Sequence, residues 1–482
     1  TTQLAVGLCA GTYFVTVIDA NGCSYFTSGG MSAPDALFGN YTIGGTSPNY
    51  NTFTDAVNDL VCKGISGAVT FEVRDGVYNE QVAIPAITGA SAVNTITFQS
   101  ENLDSTVVVM QATGTITNNY TLLLDGADYI SFQHMTLEAL DATYGRAIEL
   151  KNNADNNNFS NNVVIGQPTT SNGVDRSLVF SGSTMDNYNE FSNNRFVGGA
   201  DGLYYSGAGG SEESGTSIQH NVFEEQYAQA MHLVSQNAPV MSANKITTNS
   251  AYTTYNGIYL QNCSGQIRVE ENTISSSTAT GRGIFVQTSL GGTNPNEGIV
   301  VNNMIQMGIG ASNGIEQSGS SDIRFYHNSV HISSSDASAS AFVSGTGGNI
   351  YITNNIFVNS GGGYSIKITD QSALTNLDYN DHYFTGAKLG FWDGLGDLGT
   401  LIDWQSQTGW DANSVSMDPL FISLTNLHLG VAAPASLISS YDLSATVPID
   451  IDGASRDAQS YMGADELTKF FWVANGGNWS DY

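Results

Sequence analysis

Basic residues are the scarcest functional class in this sequence. Only 14 of 482 residues are Lys or Arg, against 44 Asp and Glu, for a formal charge of −30. Nucleic acid and anionic lipid are held mainly through Lys and Arg, so such a surface repels both. The same shortage argues against a groove for polyuronate, whose carboxylates need cationic partners. Divalent cations are the natural counterions. No run of 18 apolar residues occurs, so no membrane-inserted helix is expected. No signal peptide is legible at Thr1, and both ends read as cut from a longer mature polypeptide. Cysteine is limited to positions 9, 23, 62 and 263, with no metal-cluster spacing. Cys9 and Cys23 flank a strand followed by an Asn-Gly turn, and a disulfide between them suits an oxidising compartment. Cys62 and Cys263 read as buried thiols.

Glycine (53 residues), Asn, Ser and Thr are plentiful instead, the composition of turn-rich β structure. One unit recurs, apolar-x-x-Asn-x-apolar, as in the stretch from Phe191 to Phe196. Its Asn falls at Asn162, Asn194, Asn221, Asn244, Asn272, Asn303, Asn328 and Asn355, at intervals of 23 to 32 residues averaging about 28. A period in this range with β-type signals marks stacked coils. One Asn per coil at a bend can bond the Asn above and below, forming an internal ladder. A second column agrees independently. A small residue (Ala147, Ser177, Gly202, Ala230, Gly257, Gly283, Gly314, Ala341, Ser365) precedes an apolar one in every coil. The expected fold is all-β, a right-handed parallel β-helix or solenoid.

Along the chain, 1–28 reads as part of a β repeat of sandwich type and 29–40 as a linker. An N-terminal cap spans 41–67, its helix opened by the capping box from Thr52 to Asp55 and carrying Phe53, Ala56, Val57, Leu60 and Val61 on one face. The β-helix occupies 68–440, a C-terminal cap 441–468, and 469–482 opens a following module. The stretch from Leu8 to Cys23 resembles an SprB-type repeat of large surface proteins in gliding Bacteroidetes. That resemblance implies type IX secretion, tethering at the cell surface, and contact with surface polysaccharide or substratum beside neighbouring modules of one long chain. Tyr50-x-x-Phe53, with Asp75 to Val82 after it, resembles the start of pectin-lyase-like β-helices, a likeness of fold. The segments 450–456 and 463–466 are similar to the endings of many Bacteroidetes β-helix proteins.

Chemistry is harder to find. One outward column reads Glu149, Val179, Tyr204, His232, Tyr259, Phe285, Glu316, Val343, Lys367. The ring residues Tyr204, His232, Tyr259 and Phe285 would stack at roughly 4.8 Å per coil. Such a strip is either a platform for sugar rings or a stabilising same-face ladder. Arg146 and Arg176, on adjacent coils, could orient an anion or be ordinary surface arginines. A hydrolase needs two carboxylates roughly 5–9.5 Å apart, and Asp201 and Glu316 fall in distant coils. Signatures of polygalacturonases and pectin methylesterases are absent. His134, His220 and His327 each precede a ladder position and read as turn histidines in separate coils. Asp450, Asp452 and Asp457 form the densest acidic group and are the candidate Ca²⁺ ligands. No other cofactor is expected. The favoured reading is a secreted, cell-surface adhesin or structural module without catalytic residues. A polysaccharide lyase or glycoside hydrolase of pectin-lyase-like fold, and a pure spacer, are the alternatives.

Overall fold

The computed structural model describes residue 9 and residues 11–31, 35–182, 185–207 and 211–467. The chain is an all-β right-handed parallel β-solenoid of about 13 turns with few helices. It divides into two compact units, residues 1–268 with 276–298, and residues 269–275 with 299–482. The segment 469–482, expected to open another module, lies outside the described residues.

In the first unit each turn contributes three short strands, and equivalent strands of successive turns pair in parallel. Inward positions alternate with outward ones, so identical residue types fall on top of one another. Phe71, Phe98, Phe132, Phe159 and Phe191 form one stacked interior column with ring centroids 4.7 to 6.2 Å apart. The bend between the first and second strand of a turn is made by a left-handed residue: Asn161 (φ 57°), Asn193 (φ 56°), His220 (φ 55°) or Ala243 (φ 53°). Asn and His tolerate that conformation better than most side chains, which explains the Asn-Asn doublets.

The ladder Asn follows that bend and points inward. Asn162 donates to Phe132 O (2.8 Å) and to Asn194 Oδ1 (3.1 Å), and its own Oδ1 accepts the Met135 N–H. Asn194 and Asn221 repeat the pattern toward Asn221 and Asn244. In the second unit Asn272, Asn303, Asn328 and Asn355 form the same chain, and it continues to Asn380. Asn380 escapes the sequence pattern because His382 takes the place of its final apolar residue. There the ladder ends: Asn380 N–H donates to Ser414 Oγ, and Asp411, buried beneath Trp404 of the helix Leu401–Thr408, takes the Trp404 indole N–H. A second ladder, Asn157 bonded to Asn189, was not visible in the repeat.

At the start, the capping helix α1 (Phe53–Lys63) has Thr52 accepting the Asp55 N–H, and Gly64 (φ 66°) stops it. Phe53, Ala56, Val57 and Leu60 are buried, whereas Val61 faces solvent. Before it stands an antiparallel hairpin, β1 (Gly11–Ile18) and β2 (Ser24–Met31), which runs into the stretch read as linker. A sandwich-like repeat is therefore represented among the described residues by two strands.

The hairpin also overturns the expected disulfide. Cys9 lies beyond its open end, past the Gly11–Met31 pair, while Cys23 sits at the turn beside the Ile18–Ser24 pair. Seven residue steps separate those ends, roughly 24 Å of strand, too far for a bridge. Cys9 instead bonds Cys62 in α1, with the Cα atoms 4.9 Å apart. Cys62 is thus not a free thiol, while Cys263 is one, and buried. Non-reducing peptide mapping should recover a Cys9–Cys62 peptide, with Cys23 alkylated in the native protein and Cys263 only after unfolding.

The C-terminal segment is not an end cap in the second unit. It folds back along the coils: Tyr461, Met462, Leu429 and Leu437 pack on Ile356 and Val358, and Leu443 and Val447 on Ile299 and Val301. The buried Arg456 guanidinium holds it there, donating to Asn302 Oδ1, Gly463 O, Tyr461 O and Glu466.

Candidate functional site

The outward strip exists, but one position is shifted and its rings are turned. Ile148 pairs with Val179 and Glu149 with Phe180, so the outward residue of that coil is Phe180, and Val179 is buried. The cause is local: the 3₁₀ turn Val174–Arg176 feeds a Leu178-Val179 pair that is buried at both positions, which offsets the alternation by one. The strip therefore has five rings. Phe180 stacks on Tyr204 (5.5 Å, 10° between planes), His232 on Tyr259 (4.3 Å, 11°), and Tyr259 on Phe285 (5.0 Å, 14°). Tyr204 and His232 meet edge to face at 5.1 Å. Both ends are closed by guanidinium groups, Arg146 at 3.4 Å over Phe180 and Arg282 at 4.3 Å over Phe285.

Tyr259 thus has a ring stacked on each side, while Phe180 and Tyr204 are turned about a right angle from the other three rings. Side-chain amides rim the strip: Gln229 reaches His232 Nδ1, Gln261 reaches His232 Nε2, and Gln287 accepts from the Tyr259 hydroxyl. His232 and Phe285 are buried, and burial pushes the His232 imidazole down to about 4. Where Tyr259 stacks between His232 and Phe285 its two faces are not free for a sugar, and these rings form a same-face ladder. Nor do Arg146 and Arg176 present an anion site. Arg146 pairs with Glu149 and Asp175, and Arg176 is bound to Ala142 O and Ser171 Oγ.

An open groove lies elsewhere in the first unit. A cleft of about 520 Å³ is lined by Leu103, Asp104, Ser105, His134, Asn161, Asn162, Val163, Asn193 and Arg195. One wall is the loop after strand Ile96–Ser100. Asp104 Oδ1 pins that loop by accepting from the Thr106 amide and hydroxyl, and Ser105 O takes the Thr136 hydroxyl. The facing wall is the left-handed turn row, His134 (φ 54°), Asn161 and Asn193 on successive coils. Ladder asparagines spend their amides inside the solenoid. The imidazole of His134 and the amides of Asn161 and Asn193 make no hydrogen bond to any described residue and face outward, half-buried or exposed. Arg195 closes one side, its charge held by Glu224 at 2.6 Å. The cleft is wide and open to solvent, and it offers donors and acceptors together with the Asp104 carboxylate, which pairs with Thr106 rather than with a cation.

The most perturbed carboxylates cannot reach a polymer. Burial raises Asp201 to about 7, with Ser177 Oγ as its hydrogen-bond donor, and raises Glu213 to about 7 beside Ser181, Asp186 and Gln236. Burial also raises Asp381 well above the carboxylate range. Ser365, His382 and Asp411 line up with contacts of 3.0 and 3.3 Å, the order of a nucleophile, base and orienting acid. All three are fully buried under Trp404 and close the ladder rather than meet a substrate. His327 is likewise interior, between Gly463 O and Asn354 Nδ2, and burial holds it well below the usual histidine value.

The predicted Ca²⁺ group does not converge. Asp450 is the anchor of its turn, with Oδ1 accepting the Asp452 and Ala454 N–H groups and Oδ2 that of Glu466. Among the described residues, the group whose ligand atoms meet is His428, Asp452 and Asp465, without Asp450 or Asp457.

A family model described as the right handed beta helix region matches residues 171–330, about a third of the chain. No curated protein matches the chain in sequence. Solved structures with a similar fold include XylC with xylose (10% identity, 89% of this chain and 98% of that one, TM-score 0.47). Others are a mannuronic acid specific polysaccharide family 6 lyase from human gut microbiota (13%, 79% and 92%, TM-score 0.43) and the mannuronan C-5 epimerase AlgE6 A-module of Azotobacter vinelandii (12%, 73% and 92%, TM-score 0.37). Pectin methylesterases, among them one from Aspergillus niger, are similar at 12–13% identity. These likenesses concern the fold.

Proposed function

We propose that this chain is a non-catalytic, cell-surface β-solenoid module that holds a neutral polysaccharide in the cleft beside His134, Asn161 and Asn193. One observation carries the reading: three uncommitted polar side chains stand on successive turns and line an open groove of about 520 Å³. Coils repeat at roughly 4.8 Å, so equivalent donors and acceptors recur at about the length of one sugar residue. The excess of acidic residues disfavours a uronate polymer. A disulfide between Cys9 and Cys62 supports an oxidising, extracellular setting, as does the surface-repeat resemblance of 8–23. Export by the type IX system follows from that resemblance and is part of the proposal.

The test is a glycan array followed by calorimetry on the best ligand. Asn161→Gly with Asn193→Gly removes both amides while keeping a residue that accepts the left-handed turn. About ten-fold weaker binding is expected, from two lost hydrogen bonds of roughly 0.5–1.5 kcal/mol each. Tyr204→Ala with Tyr259→Ala should lower thermal stability and leave affinity unchanged. Wild-type affinity in the glycine variant would remove the cleft from the account. Release of reducing ends or unsaturated products from any polysaccharide would replace binding by catalysis, and an empty array would leave a spacer.

A further inference from the structure

Two separate segments of the second unit, 424–430 and 450–466, bring a nitrogen and two carboxylates together at their surface. The ligand atoms of His428, Asp452 and Asp465 all lie within 4.8 Å of one another, with Asp452 exposed, His428 half-buried and Asp465 buried. His428 Nε2 stands 3.0 Å from Asp452 Oδ2. The other ring nitrogen, Nδ1, faces Asn426 Oδ1, which also accepts the backbone N–H of His428 at 3.2 Å. That backbone bond identifies the amide atom beside the ring as the oxygen. An amide oxygen only accepts, so Nδ1 carries the ring proton, and in the neutral imidazole Nε2 turns a lone pair toward the carboxylates. Three electron-pair donors then meet with nothing between them that donates.

The buttressing is that of a metal ligand set. A coordinating histidine commonly passes its second N–H to an oxygen that fixes its tautomer, and a coordinating carboxylate is itself hydrogen-bonded. Asn426 does the first, and the Leu429 N–H, 2.6 Å from Asp465 Oδ2, does the second. We infer that His428, Asp452 and Asp465 bind one divalent transition-metal ion of the zinc class, with solvent completing its shell. One imidazole and two carboxylates suit Zn²⁺, whereas Ca²⁺ takes six to eight oxygens. The ion ties the 424–430 segment to the turn opened by Asp450, and so fastens the lateral C-terminal cover. The competing arrangement is an imidazolium between the same carboxylates, which needs no metal.

The whole chain, stripped with a chelator and dialysed at neutral pH, is titrated calorimetrically with ZnCl₂ and separately with CaCl₂. One equivalent of Zn²⁺ should bind, raise the melting temperature and be reversed by chelator, with no matching Ca²⁺ isotherm. Asp452→Asn changes an exposed side chain, so folding is not at issue, and it should weaken Zn²⁺ at least ten-fold. His428→Gln should do the same, while Asp457→Asn should keep wild-type affinity. Absence of a Zn²⁺ isotherm, a Zn²⁺ isotherm indifferent to both Asp452→Asn and His428→Gln, or a Ca²⁺ isotherm in its place would each overturn the site.

Discussion

Asn194→Leu is expected to destabilise the solenoid by at least about 2 kcal/mol, although leucine has the same number and branching of side-chain heavy atoms as asparagine. Asn194 is buried and spends both amide groups on its neighbours. Its Oδ1 accepts from Asn162 N (2.9 Å) and Asn162 Nδ2 (3.1 Å), and its Nδ2 donates to Phe159 O (2.7 Å) and Asn221 Oδ1 (3.1 Å). Leucine takes the amide partner from Asn162 N and Phe159 O in the interior, at roughly 1–3 kcal/mol each, while Asn162 Nδ2 keeps Phe132 O and Asn221 Oδ1 keeps the residue-194 backbone N–H. The adjacent residue supplies the control. Asn193 is exposed and left-handed, so Asn193→Gly should be close to neutral. A repeat protein can open coil by coil, so denaturation should be read together with amide hydrogen exchange. Protection of the Asn162 amide should collapse in Asn194→Leu before that of the α1 amides. A loss below 1 kcal/mol, with the Asn162 amide still protected, would make the ladder a by-product of the turn.

That ladder was readable because stacking imposes it: a coil cannot close without a bend, and the bend recurs about every 28 residues. What escaped depended on distances the period does not encode. The periodic column selects Val179 instead of Phe180 because one extra buried residue, Leu178, shifts the alternation without changing the period. Asn380 was hidden by His382, and Asn157 and Asn189 by their polar surroundings. Cys62 joins Cys9 across 53 residues, a pairing no local pattern announces. The aromatic column was correct from Tyr204 to Phe285, yet a sequence carries no ring orientation, and orientation decides whether a sugar finds a face. The cleft was out of reach for a related reason. It needs the loop holding Leu103 and Asp104 to stand beside His134, Asn161 and Asn193, residues that look like plain turn-formers.

Asp201→Asn and Glu213→Gln should each stabilise the protein at pH 8 and do little at pH 4. Burial lifts Asp201 from 3.8 to about 7 and Glu213 from 4.5 to about 7, so at pH 8 the folded state carries two desolvated charges. Each folded pKa is raised, so the proton's contribution is complete below the unfolded value, near 4, and is lost as pH rises through about 7. At 1.36 kcal/mol per unit, the loss is roughly 4 kcal/mol for Asp201 and roughly 3 for Glu213. Wild-type protein will not display the whole of it. Burial lowers His232 to about 4 and lowers His327 and His331 as well, so these rings favour the folded state at high pH and withdraw that support below about 6.5. The variant-minus-wild-type difference cancels the histidines. Measured by urea denaturation at pH 4, 6 and 8, it should grow across the series for both variants. A difference that stayed flat would mean that solvent or an ion already relieves the buried charge.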